Sequence, residues 1–416
     1  MSDKISAKPP ETNISELLRK GNLAQAEIFL RIFLANEPNN PEALFALGKI
    51  AREINLPHFA LHYFGEAIKF APEWQLPKIN RDRVSRELSE IRQQAGQTER
   101  FLLIKAWGYG FWSDVSHVLG QLLLAEITGR TPVVYWGTNS LFGDGTSANA
   151  FEFYFEPISR ISAADLQRED LDFWPPKWNR NNLLAGEINK WGGPYSRMAG
   201  LYLLGRSESV VVSDFFTNVA DLIPWIPAGH HLHGLSVDQV WLYLVRRYLH
   251  PKKEIMDAVE RFYDKHLGSP DFMSVHIRGS DKVIEVGNLD ELNKQYKQVI
   301  DRCLASGDLQ KIFLMTDDSR LLDFFRQTYG SSIIATDCRR TDNAKGVHHL
   351  DVSDRRQLGI EVMVDVYLAG RARFFVGNGT SNPSLFVRYL KDWPAEAVHL
   401  VGDNWFHKPN PKIHNW

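Results

Sequence analysis

The stretch FMSVHIRGSDKV, residues 272–283, decides how the rest of the chain is read. Met273, Val275 and Ile277 alternate with Ser274, His276 and Arg278, the period of a strand, so His276 and Arg278 fall on one face. Gly279, Ser280, Asp281 and Lys282 then turn the chain. A guanidinium and an imidazole where a strand runs out suit a bound anion, because ligands of open α/β sheets sit beyond the carboxyl ends of the strands. The planar guanidinium also grips a phosphate with two parallel hydrogen bonds. The plainer alternative is an edge strand whose Arg278 pairs with a surface carboxylate.

Strands and helices alternate on both sides of this stretch. Helices are expected over 238–249 and 252–267 before it. After it come a helix over 292–305, the strand KIFLMT over 311–316, a helix over 318–329, a strand over 332–336, a helix over 359–368 and a strand over 372–376. That alternation predicts a parallel sheet with helical crossovers. The loop GNGTSNP, 377–383, follows the last strand and opens the helix SLFVRYL. Pro383 suits a first helical turn, and Thr380, Ser381 or Asn382 can cap it. Free N–H groups at such a start make a phosphate cradle, with an ordinary capped helix as the alternative.

Residues 100–250 open as another α/β domain: FLLIKAW, the turn GYGFWSD with Gly108 and Gly110, an amphipathic helix, and the strand TPVVYWG. A turn feeding a helix start can hold an anion or a sugar hydroxyl, although GYG lacks the spacing of a dinucleotide fingerprint. Residues 138–195 are rich in aromatic side chains, on which sugar rings stack; core packing explains them equally well. Asp170 and Asp172 form a DxD triplet beside Pro175 and Pro176 that reads as a solvated loop. His230, His231 and His233 lack metal-ligand spacing and read as loop histidines, so no metal site is expected.

A helical repeat precedes both domains. Leu44, Leu47, Gly48, Ala60, Phe64, Ala67 and Pro72 stand at tetratricopeptide spacing, and Leu17, Gly21, Ala26, Leu30 and Pro38 echo them about 34 residues earlier. Two repeats and a capping helix over 74–92 give an all-α domain over residues 1–95, which binds a peptide partner or self-associates. A generic helical hairpin is the alternative.

Composition narrows the class. The 416 residues suffice for two or three domains, with 44% hydrophobic and 24% charged residues giving ample core. A formal net charge of -2 argues against nucleic acid as a partner. Cys303 and Cys338 are the only cysteines, so there is neither a disulfide framework nor a CxxC site. With no apolar leader and no run of about 18 apolar residues, neither a signal peptide nor a membrane span is expected, and the protein is placed in the cytoplasm.

HIRGSDK, the TDD at 316–318 and DVYLAGRARFFVGNGTSN from Asp365, with the GYG turn and its helix, resemble the α1,6- and protein O-fucosyltransferase superfamily over roughly 102–401. The resemblance implies a GT-B-type pair of Rossmann-like domains, 100–250 on the acceptor side and 251–416 for a GDP-sugar, with inversion at the anomeric centre and no metal or other cofactor. It implies Arg278 on the diphosphate, His276 and Asp365 by the guanosine, and Thr380, Ser381 and Asn382 over the phosphates. Gly108 and Gly110, in its first βα unit, count among the donor-binding residues it implies, as do Asp317 and Asp318, which match its second acidic motif. Two positions depart from the pattern: Gly279 stands where members carry a second arginine, and the family's base glutamate aligns one residue out of register with Glu285. The expected reaction moves a sugar, fucose first, from a GDP-sugar to a hydroxyl of a glycan or protein. Arg278 and Lys282 stabilise the leaving diphosphate, and Glu285 or Asp281 serves as general base. The alternatives are the same fold with another nucleotide sugar, and a non-catalytic nucleotide-binding scaffold with peptide-binding repeats.

Overall fold

The computed structural model describes residues 11–402 apart from 22, 54–55, 96–98, 147, 188–202, 215, 280–288, 306–308 and 343–345. Its contacts divide into a helical unit that ends at Arg100 and takes in 203–209, and an α/β unit that begins at Phe101.

The helical unit contains α1 (Glu11–Arg19), α2 (Leu23–Asn36), α3 (Pro41–Glu53), α4 (Pro57–Phe70) and α5 (Gln75–Ala95), each packed on the next. Pro41 and Pro57 open their helices, where a missing N–H leaves nothing unsatisfied. Gly48 is there for space: a Cβ would lie 2.4 Å from the ring of Phe64, which is fully buried between α3 and α4. From the later segment, Gly205 packs on Pro57 and the Arg206 carbonyl accepts from the Arg100 guanidinium.

In the α/β unit, β1 (Phe101–Lys105), β2 (Thr131–Tyr135), β3 (Phe173–Trp174) and β4 (Val210–Ser213) form a parallel sheet in the order β2-β1-β4-β3. A second parallel sheet has the order β7-β6-β5-β8-β9. Its strands are β5 (Phe272–Ile277), β6 (Lys311–Thr316), β7 (Ile333–Ile334), β8 (Phe374–Asn378) and β9 (Val398–Val401). β5 is central and all six of its residues are buried, so the edge-strand alternative falls. The expected strand over 332–336 shortens to two residues. The helix expected from 359 begins at Arg355, because Asp354 accepts the Gln357 N–H and starts it earlier.

The winding fixes where a ligand can enter. From β5 the chain steps outward through β6 to β7, then crosses back to β8 beside β5 and continues to β9. Where the order reverses, the crossovers leave on opposite faces and a crevice opens at the carboxyl ends of β5 and β8. Helix α6 (Phe111–Thr128) follows β1 and is buried along most of its length. Its Trp112 donates from Nε1 to the Val362 carbonyl at 3.4 Å and packs on Phe386, tying α6 to helices Arg355–Ala369 and Asn382–Tyr389 beside the second sheet. Phe142, Phe151, Tyr154, Phe155 and Trp178, from the aromatic stretch, are core residues. Among the described residues no helix is long and apolar enough to cross a membrane.

Candidate active site

The carboxyl ends of β5, β6 and β8 and the start of α6 open onto one cleft of about 490 Å³. One wall carries His276, Arg278, Asp317, Asp365 and the run Thr380, Ser381, Asn382; the facing residues are Trp107, Tyr109, Gly110, Phe111, Trp112, Ser113 and Phe142.

Arg278 leaves β5 with its guanidinium already aimed. Its Nε pairs with Asp317 Oδ2 at 3.1 Å, and the other oxygen of that carboxylate accepts the Gly279 N–H at 3.1 Å. One side chain from the end of β6 thus fixes both the cation and the turn after it. His276, two residues back and buried, has Nδ1 2.7 Å from Ser384 Oγ, the same hydroxyl that accepts the Asn378 N–H at 2.8 Å. Burial, and then the charge of Arg278, lower the His276 pKa to about 4. At neutral pH it is an uncharged brace between β5 and β8 and not a second cation.

The loop after β8 is folded by Asn378, whose Oδ1 accepts from both the N–H and the hydroxyl of Thr380 at 2.8 and 2.7 Å. Ser381 takes the N-cap position of helix Asn382–Tyr389 with Pro383 in the first turn, yet its side chain makes no capping bond. Ser381 is 2% exposed, and its Oγ, like Asn382 Oδ1, is buried with no hydrogen-bond partner among the described residues. A buried polar group left so costs about 1–3 kcal/mol. A ligand oxygen at this helix start would satisfy the hydroxyl and meet the positive end of the helix dipole.

At the other end, Asp365 accepts from Thr336 Oγ1 at 2.6 Å and Cys338 Sγ at 3.4 Å, and burial raises its pKa to about 6. Burial also pushes the Cys338 thiol well above its ordinary range. The backbone and guanidinium of Arg339 hold Glu361 beside them at 2.9 and 2.5 Å.

Several expected site residues stand elsewhere. Asp318 does not line the cleft: next in sequence to Asp317, it caps helix Ser319–Tyr329 through the Arg320 N–H and pairs with the Arg320 guanidinium. Gly108 is not among the residues lining the cleft either, and the Asp114 carboxylate takes its N–H and that of Tyr109 at 3.2 and 3.1 Å. Gly110 does line the cleft. Ser280, Asp281, Lys282 and Glu285 lie outside the described residues. Gly279 has a steric reason for departing from a paired arginine: a Cβ there would lie 2.7 Å from both Asp318 Cβ and Leu321 Cδ1. Asp170 is solvated and paired with Arg168.

Sequence reasoning missed Ser384 and Asp114, whose roles arise only once loops close onto them. It also missed Glu126, about which His230 and His231 gather, with ligand-type atoms within 4.8 Å of one another and away from the cleft. Glu126 accepts the hydroxyls of Tyr243 and Tyr248. His230 Nδ1 accepts the Leu232 N–H, which leaves the ring proton on Nε2 facing Glu126, the wrong tautomer for a metal ligand. Lys105, fully buried at the end of β1, donates to the carbonyls of Leu183 and Ala185 at 2.6 Å each, and burial lowers its pKa to about 7 against the pull of Asp214. It ties the aromatic segment to the sheet.

No family model and no curated protein sequence matches the chain. Among solved structures it is similar to NodZ alpha-1,6-fucosyltransferase co-crystallised with GDP, at 19% identity over 70% of this chain and 92% of that one, with a TM-score of 0.48. NodZ from Bradyrhizobium gives 19% identity over 70% and 93% of the two chains and a TM-score of 0.48. POFUT1 in complex with GDP-fucose gives 15% identity over 73% and 99% and a TM-score of 0.44.

Proposed function

We propose that the chain is a GT-B-type, inverting, metal-independent glycosyltransferase that moves a sugar, fucose first, from a GDP-sugar to a hydroxyl on a glycan or protein. The observation that carries the reading is the pairing across the switch point: Arg278, just past β5, held by Asp317 from the end of β6, and the Ser381 hydroxyl at a helix start after β8, without a partner among the described residues. Both line one cleft.

The chemistry follows from charge. As the glycosidic bond breaks, negative charge gathers on the diphosphate, and donors fixed in advance stabilise it without reorganising. Arg278 supplies a bidentate fork, and Ser381 with the adjoining helix N–H groups supplies neutral donors. Lys282 adds a second cation in this reading, and Glu285 or Asp281 takes the proton from the acceptor hydroxyl as it attacks the opposite face of the sugar. Ionised Asp365 accepts the N–H groups of a guanine edge, which uracil does not present in the same array. Independence of metal is supported by Asp317: its oxygens are committed to Arg278 and Gly279, so the charge at this strand end is met by a guanidinium. The five-helix unit is read as tetratricopeptide-like, serving partner or acceptor recruitment or self-association, and the protein as cytoplasmic.

Calorimetry tests this with GDP, UDP and a chelator. GDP is expected to bind in preference to UDP and without change on chelation; preference for UDP, or loss of GDP binding with chelator, overturns it. Release of GDP from GDP-fucose in the presence of acceptor separates an enzyme from a nucleotide-binding scaffold.

A further inference from the structure

Tyr109 is exposed where its neighbours are not. It is 51% exposed, whereas Phe111, Trp112 and Phe142 on the same wall are each 2% exposed. Its mount is rigid: Gly108 adopts φ 82°, which a side chain would resist, and the Asp114 carboxylate, itself fully buried, holds two consecutive N–H groups of the turn. Behind it, the Trp107 ring lies 5.3 Å away and is itself wedged against His117 and Phe216. The result is an aromatic face set in place before anything binds, which reduces the entropy lost on binding.

The chemistry of this wall identifies what it takes. The charged groups lining the cleft, such as Arg278 and Arg339, come from the second sheet and its loops; the Tyr109 wall contributes aromatic rings and the Ser113 hydroxyl. Among the described residues this wall brings no charged side chain to the cleft that would pair with a charged peptide side chain. A pyranose ring offers what fits, an apolar C–H face for the ring and a hydroxyl rim for Ser113. We infer that Tyr109 is the stacking platform for the acceptor and that the group it receives is a carbohydrate ring. This deepens the glycosyltransferase reading and rests on it.

The test uses the full chain saturated with GDP on a printed oligosaccharide array and a peptide array, with GDP affinity measured by calorimetry. Wild type is expected to bind oligosaccharides. Tyr109→Phe should retain that binding within about twofold, and Tyr109→Ala should weaken it about tenfold, the scale of one aromatic contact, with GDP affinity unchanged in both. Wild type that does not bind GDP sinks the nucleotide-sugar reading itself. With GDP bound, three results overturn the inference alone: capture of peptides and no oligosaccharide, an unaltered array pattern for Tyr109→Ala, or a loss of GDP affinity in Tyr109→Ala that matches its loss of oligosaccharide.

Discussion

Arg278 is paired with Asp317 at the cleft, and variants of Arg278 test what its guanidinium does. In steady-state kinetics, Arg278→Ala is expected to lower turnover about 100- to 1000-fold, the cost of losing one donor aimed at developing charge. Arg278→Lys should recover little, because it keeps the charge and loses the fork. Equal turnover losses in Arg278→Ala and in Arg326→Ala, on the exposed face of helix Ser319–Tyr329, would remove Arg278 from the mechanism. Asp365 gives a pH signature. Its folded pKa, raised to about 6 by burial, means that it contributes stability present at low pH and lost as pH rises through 6. Binding runs the other way, since only the ionised carboxylate accepts two N–H donors. GDP affinity is therefore expected to climb up to about tenfold per pH unit below this pKa. The difference from Asp365→Asn separates the effect from titration of the nucleotide's own phosphate, and parallel profiles would take Asp365 out of the base site. At this scale the sequence is readable where strand alternation aims a side chain, as for His276 and Arg278. It cannot separate Asp317 from Asp318, because neighbours at the end of a strand diverge and only the following helix start decides which one is a cap.

The turn between β5 and the residues beyond it is shaped by helix Ser319–Tyr329. Because a Cβ on Gly279 would meet Asp318 and Leu321 at 2.7 Å, Gly279→Ala is expected to destabilise by about 1–3 kcal/mol, the usual cost of overpacking. Gly279→Arg should lose stability without gaining donor affinity. A denaturant titration showing either variant as stable as wild type would mean that the turn yields easily. Ser384→Ala probes the brace between β5 and β8: loss of its bonds to His276 and the Asn378 N–H should cost on the order of 1–3 kcal/mol, since both partners are left buried. Thermal unfolding indistinguishable from wild type would sink that role. Alternation of strands and helices made the parallel sheets legible from sequence. Their order was not, because the choice between stepping outward from β7 and crossing back to β5 is made by which helix covers which face, a tertiary matter.

At the scale of the molecule, the helical unit does not end cleanly with α5, because 203–209 belong to it. Removing residues 1–100 would strip Pro57 from Gly205 and uncover Leu203 and Leu204, which are 1% and 6% exposed. A loss on the order of 3 kcal/mol is expected from that apolar surface, with GDP affinity kept within about threefold. A folded truncation that no longer binds GDP would contradict the assignment of the donor site to the α/β unit. The repeat spacing in the sequence pointed to the helices, but nothing in it announced the returning segment, since a short stretch between unrelated motifs carries no period of its own.

Asp114 has a consequence beyond holding its turn. Lying in the first turn of α6 and holding the N–H groups of Gly108 and Tyr109, its carboxylate sets a negative charge against the positive end of that helix, while the helix start after β8 has no acidic residue in its first turn. The cleft is therefore polar in the sense that a battery is, with one terminal. Dissolved salt screens charge and leaves stacking intact, so under the proposed function added ions should weaken GDP binding while binding of a sugar ring at Tyr109 stays as before.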